Sequence, residues 1–66
     1  MSRRLELKGR LFWILSEPID EGWKAVISEA QHDGSSEDVG IQATGETRVE
    51  ADDAAERKLR RLLQDY

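Results

Sequence analysis

"VGIQATGETRVEA", Val39–Ala51, decides the fold of this chain. Its odd positions hold Val39, Ile41, Ala43, Gly45, Thr47, Val49 and Ala51; its even positions hold Gly40, Gln42, Thr44, Glu46, Arg48 and Glu50. Apolar or small residues therefore recur at every second position, the period of a strand with one covered face and one wet face. The pattern predicts a long antiparallel strand over 39–51, with a bulge or bend at Gly45, the usual meaning of a glycine inside such a run. The segment that follows, "DDAAERKLRRLLQDY", offers the cover. Ala55, Leu59, Leu62, Leu63 and Tyr66 fall on one stripe of a helix. Asp52 or Asp53 can cap its start, and with Asp53 as cap Glu56 stands at the reciprocal position of a capping box. Arg57, Lys58, Arg60 and Arg61 lie further on, as the helix dipole favours. A helix over about 53–65 is expected. Thr47, with Glu50 three residues on, is a rival start, and the alternation through Arg48–Ala51 favours the later one.

Upstream, Trp23–Ala30 ("WKAVISEA") reads as a second strand. "EPIDEG" before it carries Pro18 and Gly22 and reads as a turn, and "QHDGSSED" after it reads as a polar hairpin loop. The first strand is expected over about 5–17, because Leu5 and Leu7 alternate with Glu6 and Lys8, with a kink at Gly9. The order strand, strand, strand, helix with short connections implies a three-stranded antiparallel meander with one C-terminal helix on one face, an α+β arrangement. The 66 residues make a single domain, 1–66. A chain of this size buries only about 60% of its unfolded surface, so its net stability is small.

Arg10–Glu17 contains "LFWIL", Leu11–Leu15, which places apolar side chains on both faces of one strand. One helix covers one face. Leu11, Trp13 and Leu15 are expected to meet the helix, and Phe12 and Ile14, with Val26 of the next strand, to form a partner interface. A one-residue slip of register exchanges the two sets. A contiguous exposed apolar patch rimmed by charge marks an interaction site, and a second copy of the chain is one candidate to occupy it.

The net charge of −4 conceals a segregation. Residues 17–56 hold twelve acids and two bases, a charge of −10, while residues 1–10 and 57–66 are each +3. An acidic centre disfavours direct nucleic-acid binding there, since phosphate recognition rests on Lys and Arg. It suits a basic protein partner. Asp20, Glu21, Asp33, Glu37, Asp38, Glu46 and Glu50 are its candidate contacts. Arg57, Lys58, Arg60 and Arg61, with Arg3 and Arg4, are the candidate nucleic-acid contacts.

Catalysis finds little support. His32 is the sole histidine and lies in the polar loop beside Asp33. Ser16, Ser28, Ser35 and Ser36 have no histidine at a nucleophile spacing. "HDGSSED" lacks the oxygen-ligand spacing of a calcium loop, and the absence of cysteine removes thiolate sites and disulfides. No cofactor and no metal are expected, and no enzyme. The five-residue apolar run falls short of the roughly 7–15 residues of a signal core and of the roughly 20 of a membrane span. A cytoplasmic protein without membrane contact is expected.

The element order and two motifs resemble the partner-binding domain of HicB-type antitoxins. That family joins its first strands through an acidic turn ending in Gly plus an aromatic, as in "DEGW" (Asp20–Trp23). It enters its helix through Gly-x-Thr-x-x-Glu-Ala, as in "GETRVEA" (Gly45, Thr47, Glu50, Ala51). The family's Pro- and Gly-containing segment after strand two is replaced here by "EAQHDGSSED". The resemblance implies binding and inhibition of a small RNA-cleaving toxin. The same elements are similar to the last part of a double-stranded RNA-binding domain, with "GETRVEADDAA" over its basic helix start. Val49 and Asp52 stand in that stretch and Arg48 alone is basic, which removes the phosphate contacts and leaves a likeness of fold. In size and charge the chain also resembles phage-encoded inhibitors such as anti-CRISPR proteins, many of which imitate nucleic acid with acidic side chains.

Overall fold

Four strands and one helix make up the computed structural model, which describes residues 2–64, with side chains from residue 3. Tyr66 of the expected helix stripe and position 65 of the expected helix lie outside the described residues. The strands are β1 (Ser2–Leu7), β2 (Arg10–Ile19), β3 (Gly22–Ala30) and β4 (Ser36–Gly45), followed by α1 (Arg48–Gln64). They form one sheet in the order β1-β2-β3-β4, each pair antiparallel. An α+β meander with a C-terminal helix on one face is therefore present, but with four strands rather than three.

The extra strand comes from the segment expected to be one strand over 5–17. It folds back on itself at Lys8-Gly9, so that Leu7 lies opposite Arg10. Both turn residues have positive φ, 52° and 75°, as a two-residue type I′ turn requires. Lysine is an uncommon residue in that conformation, and it gives none of the Asn-Gly or Asp-Gly signal that announces such a turn. Lys8 also donates from Nζ to the carbonyl of Leu63 at 2.7 Å, answering one acceptor in the last turn of α1.

The strand expected over 39–51 ends at Gly45, and the helix begins at Arg48 rather than 53. The rival start is the real one. Thr47 Oγ1 accepts from the amide of Glu50 at 3.1 Å, while Glu50 Oε2 accepts from the amide of Glu46 at 3.0 Å. These bonds satisfy amides that a helix start otherwise leaves open. Thr47, Val49 and Ala51 mimic strand alternation only because three positions cannot separate a period of 2 from one of 3.6.

Gly45 sits where the helix crosses back onto the sheet. A Cβ there would lie 2.6 Å from the Ala51 amide nitrogen and 2.8 Å from Glu50 Cβ. Gly22, beside it in the sheet at φ 139°, has no room either: a Cβ would collide with the Gly45 carbonyl. Gly45 thus lets the first turn of α1 rest directly on the end of β4, and Gly22 lets the end of β4 lie against β3.

The core is built from Phe12, Ile14, Ala25, Ile27 and Ala43 of the sheet and Ala51, Ala55, Leu59 and Leu63 of the helix. Full burial of Phe12, Ile14, Ile27 and Leu59 contributes about 1.5–3 kcal/mol each. The faces of β2 are the reverse of the expectation: Phe12 and Ile14 are fully buried under α1, and Leu11, Trp13 and Leu15 face away. A helix presenting Ala51 and Ala55 approaches the sheet closely, and Ala25 and Ala43 beneath it provide the matching shallow seat. Leu62 of the expected stripe is 39% exposed.

Substituting Gly45→Ala should lower stability by about 2 kcal/mol or more, because backbone and not a flexible side-chain tip meets the new methyl. Gly9→Ala, which has open space but a positive φ, should cost only about 1 kcal/mol. Urea unfolding midpoints of the two variants rank the two effects.

Candidate functional site

The sheet face turned away from α1 carries an apolar strip. In β2 the alternation that buries Phe12 and Ile14 sends Leu11, Trp13 and Leu15 outward. Leu15 lies opposite Val26 of β3, so Val26 joins them. Leu15 is 48% exposed; Leu11, Trp13 and Val26 are half-buried by one another and by the strands beside them. On β1, Arg4 lies opposite Trp13 and Glu6 opposite Leu11, and the two charges stand 3.8 Å apart on the rim. On the other side Lys24 faces Glu17 and Thr44. Among the described residues nothing covers this strip.

Of the residues read as a partner interface, Val26 is on this face. Phe12 and Ile14 are not, since both have no exposed surface at all. The acids divide between the two ends of the sheet. Asp20 and Glu21 form the β2–β3 turn, and the pairing of Trp23 with Gly45 brings it beside Glu46 and Glu50. Asp33, Glu37 and Asp38 gather at the opposite end, around the β3–β4 loop. Several have local work. Glu50 belongs to the helix cap. Asp33 Oδ1 accepts from the Ser35 amide at 3.0 Å and its hydroxyl at 2.6 Å, which holds the Asp33 carboxyl below the usual range. Asp38 Oδ1 accepts from the Gly40 amide at 2.7 Å, at a bulge where Ile27 alone spans Val39–Ile41. Asp20, Glu21, Glu37 and Glu46 are exposed.

The basic residues of α1 do not form one patch. Arg60 turns to one flank, its Nε 2.9 Å from Glu56 Oε2. Arg57, Lys58 and Arg61 occupy the other flank, around Ala54 and Leu62. Lys58 Nζ donates to the Gln42 carbonyl at 2.9 Å. Arg3 is separate from both. Its guanidinium lies 3.1 Å from Asp53, 3.4 Å from Glu56 and 4.0 Å from the buried Asp52, tying β1 to α1. The hydrogen bond to Asp53 chiefly raises its pKa. Sequence reasoning missed this anchor, because fifty residues separate its partners. Asp52 Oδ1 and Ser16 Oγ are buried without a hydrogen-bond partner.

His32 is exposed in the β3–β4 loop. Among the described residues no three His, Cys, Asp or Glu side chains converge on a point where a metal ion would sit, and no helix is long and apolar enough to cross a membrane. Comparison with known protein families, curated proteins and solved structures finds no match. The antitoxin and RNA-binding resemblances thus rest on the short motifs that carry them.

One further pair bears on pH. Arg10 donates to both carboxylate oxygens of Glu29, at 2.8 and 2.7 Å, with its guanidinium 5.3 Å from the centre of the Phe12 ring. That hydrogen bonding lowers the Glu29 pKa from its ordinary 4.5, against a smaller desolvation effect in the other direction. A lowered folded pKa stabilises the fold above the ordinary value, and the gain is lost as pH falls through the folded one. Urea midpoints should therefore drop as pH falls below 4.5. Glu29→Gln should flatten part of that acid limb, and an unchanged limb would contradict the assignment.

Proposed function

We propose that this chain is a non-enzymatic protein-binding module, a small inhibitor or antitoxin-like protein, that docks its open sheet face on a basic, nucleic-acid-processing partner. The observation that carries the reading is the uncovered strip of Leu11, Trp13, Leu15 and Val26, with Leu15 48% exposed while α1 packs on the other sheet face. Tryptophan beside aliphatic residues, ringed by charge, is the composition of an interface anchor. Asp20, Glu21 and Glu46 at one end and Glu37 and Asp38 at the other supply a negative field that steers a basic partner and fixes its orientation. The cytoplasm is the compartment that fits such a partner.

The arrangement of the acids favours apolar docking over imitation of nucleic acid. A mimic of the anti-CRISPR kind calls for a continuous acidic track, and here an apolar strip separates two acidic ends. Among the described residues the basic cluster left for direct nucleic-acid binding is the flank of Arg57, Lys58 and Arg61, with Arg60 held by Glu56 and Arg4 beside Glu6.

Leu15→Glu should leave the fold intact, as substitutions at exposed positions usually change stability by about 0.5 kcal/mol or less. It should weaken capture of a specific partner from cell extract by about tenfold or more, equivalent to about 1.4 kcal/mol, with wild-type capture weaker at high salt. Equal capture by wild type and variant contradicts the reading. So does light scattering at twice 7.5 kDa for wild type and at 7.5 kDa for the variant, which would assign the strip to a second copy of the chain.

A further inference from the structure

A second surface lies at the opposite side of the molecule from β1. The sheet ends at β4, which among the described residues has no strand on its outer side. The Gln42 carbonyl points away from β3, since Lys58 Nζ reaches it at 2.9 Å. Strand alternation turns the amide and carbonyl of Thr44 the same way. Further along the edge, the Gly40 amide is already answered by Asp38 at 2.7 Å. The part of the edge able to accept a new strand is therefore Gln42–Thr44, once Lys58 Nζ yields the Gln42 carbonyl.

The helix stands ready beside it. α1 packs most on β4, less on β3 and less again on β2, so one flank of the helix overhangs the last strand. That flank is Ala54, Arg57, Lys58, Arg61 and Leu62, which line a concavity. Ala54 is half-buried and Leu62 is 39% exposed. A fifth strand on β4 would aim every second side chain at this flank. Apolar ones would land on Ala54 and Leu62, and carboxylates would meet Arg57 and Arg61.

We propose that the β4 edge with this flank is a docking site for an extended acidic peptide strand of a partner protein. Main-chain bonds to Gln42 and Thr44 supply the affinity and the basic flank the selectivity, as in other cases of strand addition. Charge argues against a second copy bound through its own β4, because a two-fold axis would set Arg57 and Arg61 against themselves. Lys58, seated on the Gln42 carbonyl, acts as a guard that keeps the edge from unspecific pairing, a role lysine often has on edge strands. This site uses the main-chain edge of β4 and the α1 flank rather than the side chains of Leu11, Trp13, Leu15 and Val26, and it stands or falls independently of that reading.

The test is titration of the full-length, nitrogen-15-labelled chain with an acetylated alternating Glu-Val hexapeptide, its Lys-Val counterpart and a short double-stranded RNA, all at one ionic strength. The Glu-Val peptide should shift the amides of Gln42 and Thr44 and slow their hydrogen exchange, and the Lys-Val peptide should not. Arg57→Glu with Arg61→Glu should weaken the Glu-Val peptide by about tenfold or more. Arg57→Glu alone serves if the double variant fails to fold. Shifts confined to the Leu11, Trp13 and Leu15 face overturn the proposal. So does RNA that binds the flank more tightly than the peptide. Shifts at Gln42 and Thr44 that follow protein concentration alone also overturn it, since they would mark a second copy as the occupant.

Discussion

A single helix can cover one face of a four-stranded sheet, and the other face must meet solvent or a partner. α1 has 17 residues and is about 25 Å long at 1.5 Å per residue. The four strands, about 4.8 Å apart, present a surface of similar breadth on each side. Which side chains of β2 are core and which are surface therefore depends wholly on the face that α1 takes. It takes that of Phe12 and Ile14. Leu11, Trp13, Leu15 and Val26 are left on the other, and the main functional reading follows from that exclusion.

The choice of face and the position of the helix on it are set at one corner. Gly45 lacks the side chain that would hold the helix off the strand end, Gly22 leaves room for the Gly45 carbonyl, and Thr47 and Glu50 close the first turn of the helix there. From that corner α1 runs back over β4 and β3. Arg3, bonded to Asp53 and Glu56, ties the distant β1 to the near flank, and Lys8 ties the first hairpin to the far end of the helix. The helix is thus pinned at both ends but offset toward β4. The offset produces an overhanging basic flank on one side and a charged clasp on the other, from a run of bases that looks uniform in one dimension.

Much of the fold was legible in the sequence where a pattern was long enough to have one period. The alternation of Ile41, Ala43 and Gly45 gave β4, the spacing of Ala55, Leu59 and Leu63 gave the helix, and the turn read in "EPIDEG" falls between β2 and β3, although its first three residues, Glu17–Ile19, belong to β2. Legibility failed where a pattern was short or where chemistry was atypical. Thr47–Ala51 fits both periods, and the capping pair Thr47 and Glu50 was the better guide. Lys8 occupies a left-handed turn position that residue preferences assign to Asn, Asp or Gly, so the pattern there reads as a kink although the chain forms a hairpin. Of the three residues expected on the open face, Val26 lies there while Phe12 and Ile14 are buried under α1, because five apolar residues in a row carry no phase. The small residues Ala25, Ala43, Ala51 and Ala55 held the missing information: they mark the face where backbone approaches backbone. Reading them needed the register between strands.

An apolar strip in the open is a cost that a small domain with little stability in reserve does not carry for its own folding. Acids stand at both ends of this surface, and the paired rim charges Arg4 and Glu6 frame it. All of this depends on the two faces of β2 being as described. The direct measurement is proton relaxation by a soluble, uncharged gadolinium chelate, read at individual side chains of the folded protein. Leu15 methyl and Trp13 ring protons should relax strongly, while the Phe12 ring and Ile14 methyls stay protected to the same degree as Leu59. Protection of Leu15 and Trp13 with exposure of Phe12 and Ile14 would reverse the sheet and remove the basis for the proposed interface.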